Sequence, residues 1–112
     1  MRNMSFSLTT EQYKRRGQTV TRRLGWGSLK PGDMVCGVGN CQCLKKGEKV
    51  KRLHVIQVVS NTPEQLRYMD KADCIREGFP DMEPPEFIAM FCKHNKCRPT
   101  TVINRIEFRY LS

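Results

Sequence analysis

The run from Arg52 to Ser60 is the strongest constraint on the fold, because Leu53, Val55, Ile56, Val58 and Val59 give it the β-branched, apolar character of a strand. A second run, Thr101 to Leu111, alternates Val102, Ile106, Phe108 and Tyr110 imperfectly, as a closing strand does. Shorter strand patterns occupy Thr19 to Arg23 and Asp33 to Val38. Between and around them lie helix signals. Thr9 and Gln12 have capping-box spacing, which predicts a short helix ending near Gly17. Thr62, Pro63 and Gln65 combine an N-cap residue, Pro at the first helical position and Gln three residues after the cap, and so predict another helix start. A short helix is expected over Lys71 to Glu77, stopped by Gly78 and Pro80, and a longer one over Pro84 to Phe91 with Phe87, Met90 and Phe91 on one face. The stretches Gly25 to Gly32 and Gly39 to Lys49 read as loops. Strands early and late with helices between them predict an α+β fold, a small curved sheet or barrel whose last strand pairs with earlier ones.

With 112 residues the chain suits a single domain, 1–112, able to bury a core without disulfide staples. No stretch approaches the ~18 apolar residues of a membrane span, and the first ten residues lack the apolar run of a secretory signal. A soluble cytoplasmic protein without membrane contact is therefore expected.

Charge is the first pointer to function. The net charge is +9, and residues 1–60 hold 12 basic and 3 acidic side chains while residues 61–112 hold 8 of each. Such asymmetry suggests a basic face that meets a polyanion, above all nucleic acid, since phosphate neutralisation releases condensed counterions. The competing reading is a solvated basic surface that aids solubility.

Six cysteines without a secretory signal are expected to be reduced thiols. If a zinc site existed it would draw on Cys41, Cys43, Cys92, His94 and Cys97, but paired C-x-x-C knuckles are absent, so no metal and no cofactor is expected. Met34, Met69, Met82 and Met90 read as core filler. His54, on an apolar strand, reads as a hydrogen-bonded structural residue.

The segment from Thr19 to Arg23, followed by Leu29 to Asp33 with its Gly-Asp turn, resembles the ASCH family of the PUA-like β-barrel superfamily, and above all its small members encoded by phages and prophages. The similarity continues through Arg76 to Pro80, the helix Pro85 to Phe91 and the terminal Ile106 to Leu111. It implies a PUA-like barrel with a cleft between barrel and helices and an RNA or nucleotide ligand. Some relatives are amidohydrolases of N(4)-acetylcytidine that use a Lys, a Thr and a Glu. The Thr falls on Thr21, the Glu on Glu77 across a small gap, and a strand Arg on Arg23; the Lys position is Gln18. A carboxamide donates and accepts hydrogen bonds but is no base near neutral pH, so the substitution argues against that activity.

The expected function is thus binding of RNA or a nucleotide through Lys14, Arg15, Gln18, Arg22, Arg23, Trp26, Lys45 and Lys46, with Thr21 and Glu77 as candidate catalytic residues. Arg22 and Arg23 should lie on opposite faces of their strand. Trp26 either stacks on a base or caps the core. One alternative is a hydrolase acting on a modified nucleoside or on RNA. Another is a phage accessory protein that docks its basic face on a host protein.

Overall fold

The two long strand patterns are neighbours in space. In the computed structural model, which describes residues 1–39 and 51–112, the strand β4 (Arg52–Gln65) runs antiparallel to β5 (Val102–Tyr110) over nine residue pairs from Ile56–Tyr110 to Gln65–Val102. The register shifts between Val58 and Ser60, the irregularity that bends a strand and raises its twist. Three shorter strands complete the sheet: β1 (Arg2–Ser5), β2 (Val20–Arg23) and β3 (Met34–Val38), in the order β1-β3-β4-β5-β2. Only the β1–β3 pair is parallel. The result is a curled, mixed five-stranded half-barrel with a few short helices, the expected α+β class.

The helix expected to start at Thr62 does not form. Thr62, Pro63, Glu64 and Gln65 continue β4 and pair with Arg105, Asn104, Ile103 and Val102. The capping signals are local, whereas nine cross-strand pairs with β5 reward extension. Pro63 is tolerated because β3 accompanies β4 only as far as Gln57 and the described backbone bonds on that edge end with those of Val58 to Gly32 and Asp33, so a missing N–H at Pro63 breaks none of them. The strand β1 has no counterpart in the sequence reading. Its four residues are too few for a periodic signal, yet Met4 is fully buried and β1 binds β3 from Arg2–Val35 to Ser5–Val38.

The helices are α1 (Thr10–Lys14), α2 (Lys71–Arg76) and α3 (Pro84–Asn95). Thr9 makes no side-chain cap; Thr10 Oγ1 instead donates to Phe6 O at 2.8 Å. Asp70 caps α2 by accepting from Asp73 N at 2.8 Å. Glu83 and Glu86 form a reciprocal capping box ahead of α3, which runs one turn past Phe91 and ends on Lys96 in left-handed backbone. None of the described helices is long and apolar enough to cross a membrane.

The core has two parts. Met4, Phe6, Tyr13, Val35, Ile56 and Phe108 are among those that fill the curl of the sheet. Leu66, Met69, Cys74, Phe87, Phe91 and Ile103 pack under α2 and α3. Met34 lies outside both and is 52% exposed, contrary to its expected place in the core, because the first residue of β3 points to solvent.

Candidate binding pocket at the half-barrel seam

β1 and β2 are the two edge strands, so the curled sheet leaves a seam between them. A pocket of about 110 Å³ opens there. Ser5 to Thr9, leading out of β1, form one wall; Gln18 and Thr21 to Arg23 form a second; Glu77 and Phe79, after α2, a third; and Phe87, Met90, Phe91, His94 and Asn95 of α3 close it. The apolar face of α3 read from its 3, 4 spacing is therefore also the aromatic wall of the pocket.

The chain is held tightly where it enters β2. Thr19 N donates to Arg76 O at 2.8 Å, Phe108 N donates to Thr19 O at 3.0 Å, and Tyr110 Oη donates to Gln18 O. These bonds fix residues 18 and 19 between α2 and β5. Gln18, 1% exposed, turns its Nε2 to Val20 O at 3.0 Å, while its Oε1 has no partner.

From here the two arginines diverge. Arg22 Nη2 lies 2.6 Å from Asp73 Oδ2 and 2.7 Å from Glu64 Oε1, and its Nη1 lies 3.4 Å from Glu77 Oε2. Arg105 reinforces the cluster, with Nε and Nη2 donating to the two oxygens of Asp73 at 2.7 and 2.9 Å. Those bonds from Arg105 first, then from Arg22 and Arg76, hold the Asp73 carboxyl well below the usual carboxylate range against the opposing effect of burial. Arg23 has no carboxylate partner among the described residues. Its guanidinium lies over the Phe6 ring, 4.8 Å from the centroid, and its Nε donates to Thr21 Oγ1 at 2.9 Å. Desolvation lowers its pKa to about 10.

Glu77 is buried, and desolvation pushes its pKa up to about 7 even though Arg22 and Arg23 favour the ionised form. The following residue, Gly78, has φ +95°, and a Cβ there would stand 2.9 Å from Gln12 Cβ, so glycine is needed for the turn that directs Glu77 inward.

Gln18, Thr21, Arg22, Arg23 and Glu77 are thus gathered around one pocket. Of the other site residues singled out from the sequence, His94 alone among the described ones also lines it. Lys14 and Arg15 are exposed at the end of α1, with Lys14 Nζ 3.8 Å from Glu11 and Arg15 Nε bonded to Glu11 O. Trp26 packs half-buried on the first core cluster beneath the Arg2 guanidinium, 4.1 Å from its ring centroid. His54 Nε2 bonds to Lys14 O at 2.8 Å, away from the pocket. Lys45, Lys46, Cys41 and Cys43 lie outside the described residues. Cys92 and Cys97 sit at the end of α3, His94 is exposed, and no group of three His, Cys, Asp or Glu side chains among the described residues is arranged to hold a metal.

The sequence reading missed Ser5, Phe6, Phe79 and the carboxylates Glu64 and Asp73. Phe79 sits in the Gly78 to Pro80 turn that was read only as a helix stop, and nothing local in a sequence links Arg22 to acids more than forty residues away.

No protein-family model and no curated protein matches the chain. Among solved structures, it is similar to protein EF3133 from Enterococcus faecalis V583, of the DUF984 family, with a TM-score of 0.67 over 94% of this chain and 71% of that one, at 12% identity. A likeness at that identity concerns the fold.

Proposed function

We propose that the chain is an ASCH-type, PUA-like domain that binds a nucleotide-containing ligand, free or as part of RNA, in the seam pocket. The observation that carries this reading is the meeting of Gln18, Thr21, Arg23 and Glu77, drawn from two separate segments, in one pocket walled by Phe79, Phe87 and Phe91. Aromatic walls accept the flat face of a base, and an amide oxygen and a carboxyl accept hydrogen bonds from an exocyclic amine. Small ligands are generally held this way, by an apolar lining with a few convergent polar groups.

Binding is favoured over hydrolysis. Thr21 Oγ1 accepts from Arg23 Nε at 2.9 Å, and no described hydrogen bond joins it to Glu77 or to any other base. Gln18 holds its amide on Val20 O and cannot take a proton from the threonine. A hydroxyl without a base is a poor nucleophile.

The basic surplus of the first half remains a proposal for long-range attraction, with Arg22 removed from the count because its terminal nitrogens are committed to carboxylates. With Lys14, Arg15 and Arg23 as the phosphate-contacting cations, single-stranded RNA binding should weaken with salt at a logarithmic slope of about −2. The test is titration with short RNA oligonucleotides and with cytidine, followed by backbone amide shifts. Shifts centred on residues 18–23, 77–79 and 87–91, and reduced in Phe87→Ala, support the reading. Absence of any shift with RNA, nucleotide or nucleoside would transfer the proposal to a protein partner for the basic face.

A further inference from the structure

The pocket carries more hydrogen-bond donors than acceptors for them. Arg22 Nε is buried without a partner in a side chain only 1% exposed. Ser5 Oγ is buried without a partner. Thr21 Oγ1 accepts from Arg23 but donates to nothing described, and neither terminal nitrogen of Arg23 makes a described hydrogen bond. All four residues line the same pocket. A buried donor without an acceptor costs about 1–3 kcal/mol, more when charged, so Arg22 Nε and Ser5 Oγ, with the open donors of Arg23 and Thr21 beside them, make a demand for an acceptor-rich group.

Charge makes the same demand. Arg22 is neutralised by three carboxylates, but Arg23, one residue along, is half-buried on an aromatic ring with no ion-pair partner among the described residues. Its Nε bond to Thr21 and the Phe6 ring beneath it hold the guanidinium plane in place. An arginine held this way is organised for bidentate contact with an oxyanion. Glu77 is the one acidic side chain among the described residues of the pocket wall, and it lies 3.4 Å from Arg22 Nη1.

We propose that the seam pocket contains an oxyanion subsite built on Arg23, with Ser5, Thr21 and Arg22 Nε as the surrounding donors, and that it takes the phosphate of a nucleoside monophosphate. This rests on the nucleotide reading for the rest of the ligand, whose base then lies toward Phe87 and Phe91. The amide oxygen of Gln18, an acceptor without a donor, belongs to that base end.

Three probes separate the two ideas: cytidine 5′-monophosphate, cytidine and inorganic phosphate, each titrated calorimetrically into the wild type, Arg23→Gln and Arg23→Lys. The monophosphate should bind the wild type about tenfold or more tightly than cytidine, a charge-assisted pair being involved. Inorganic phosphate should compete with it. Arg23→Gln should abolish the preference for the monophosphate over cytidine, and Arg23→Lys, which keeps the charge but loses the planar fork, should fall between. Should Arg23→Gln not fold, as judged by its thermal melt, the Arg23→Lys comparison and the phosphate competition still decide the matter. Equal binding of cytidine and its monophosphate by the wild type overturns the subsite and leaves the base pocket standing. Binding of phosphate and monophosphate without cytidine supports the subsite and removes the base pocket. No binding of any probe overturns both.

Discussion

Arg22 and Asp73 meet at 2.6 Å, Nη2 to Oδ2, with both side chains buried, and this contact ties the edge strand β2 to the helix α2. Around it Glu64, Glu77 and Arg105 complete a cluster that joins β2, β4, α2 and β5. Taking so many charges out of water is costly, and the cluster is sustained because nearly every charged atom has a partner at hydrogen-bond distance. Its functional consequence is positional: it fixes the strand that presents Arg23 to the pocket.

Removing Arg22 leaves Glu77 buried without its nearest cation and takes from Asp73 one of its three arginines. Arg22→Ala is therefore expected to lower unfolding free energy by about 3–5 kcal/mol in chemical denaturation. The wild type should also lose stability in acid. Asp73 is held below the usual carboxylate range when folded, so its contribution is present above its unfolded pKa and is lost as pH falls toward the folded value. An Arg22→Ala variant as stable as the wild type would show that the cluster holds nothing together.

Glu77 has the opposite sign. Its folded pKa of about 7 lies above the unfolded value, so its contribution is complete below about pH 4.5 and is lost as pH rises through about 7. Glu77→Gln should remove this loss, gaining stability relative to the wild type at pH 8 compared with pH 5. Parallel pH–stability curves for the two proteins between those values would mean that Glu77 ionises freely in the folded state.

N(4)-acetylcytidine should be left unchanged by the protein, because neither Gln18 nor any described neighbour activates Thr21. In Gln18→Lys an amine placed at this 1% exposed position would have its pKa lowered by desolvation, and measurable deacetylation, abolished by adding Thr21→Ala, is the expected gain. Chromatographic detection of cytidine is the assay. Robust turnover by the unmodified protein, lost in Thr21→Ala, would show that another group replaces the missing amine.

The Tyr13 ring lies directly over Gly37 of β3, so a Cβ at that position would overlap the phenol. Tyr13 is anchored by its Oη donating to His54 O at 2.5 Å and by stacking on Phe6 at 3.9 Å. Gly37→Ala should therefore destabilise by about 2–3 kcal/mol and, by shifting Phe6, weaken ligand binding at Arg23 as well. A melting temperature within a degree of the wild type would contradict this.

Which parts of the molecule were legible in the sequence follows from the range of the forces involved. Strands β2, β3 and β5, the first nine residues of β4 and the helices α2 and α3 are legible because side-chain alternation, β-branching, capping residues and Gly or Pro stops act over a few residues. The family resemblance selected Gln18, Thr21, Arg23 and Glu77, though as separate positions. Tertiary structure decided the rest. Thr62 to Gln65 carry a helix signal and form strand, because pairing with β5 outweighs a cap. Arg22 and Arg23 are identical in the chain, yet one is enclosed by acids from β4 and α2 and the other rests on Phe6 with no ion-pair partner among the described residues. An ion pair or a pocket depends on which distant segments the sheet order brings together, and β1 faces β2 across the seam only because β3, β4 and β5 lie between them in the order β1-β3-β4-β5-β2.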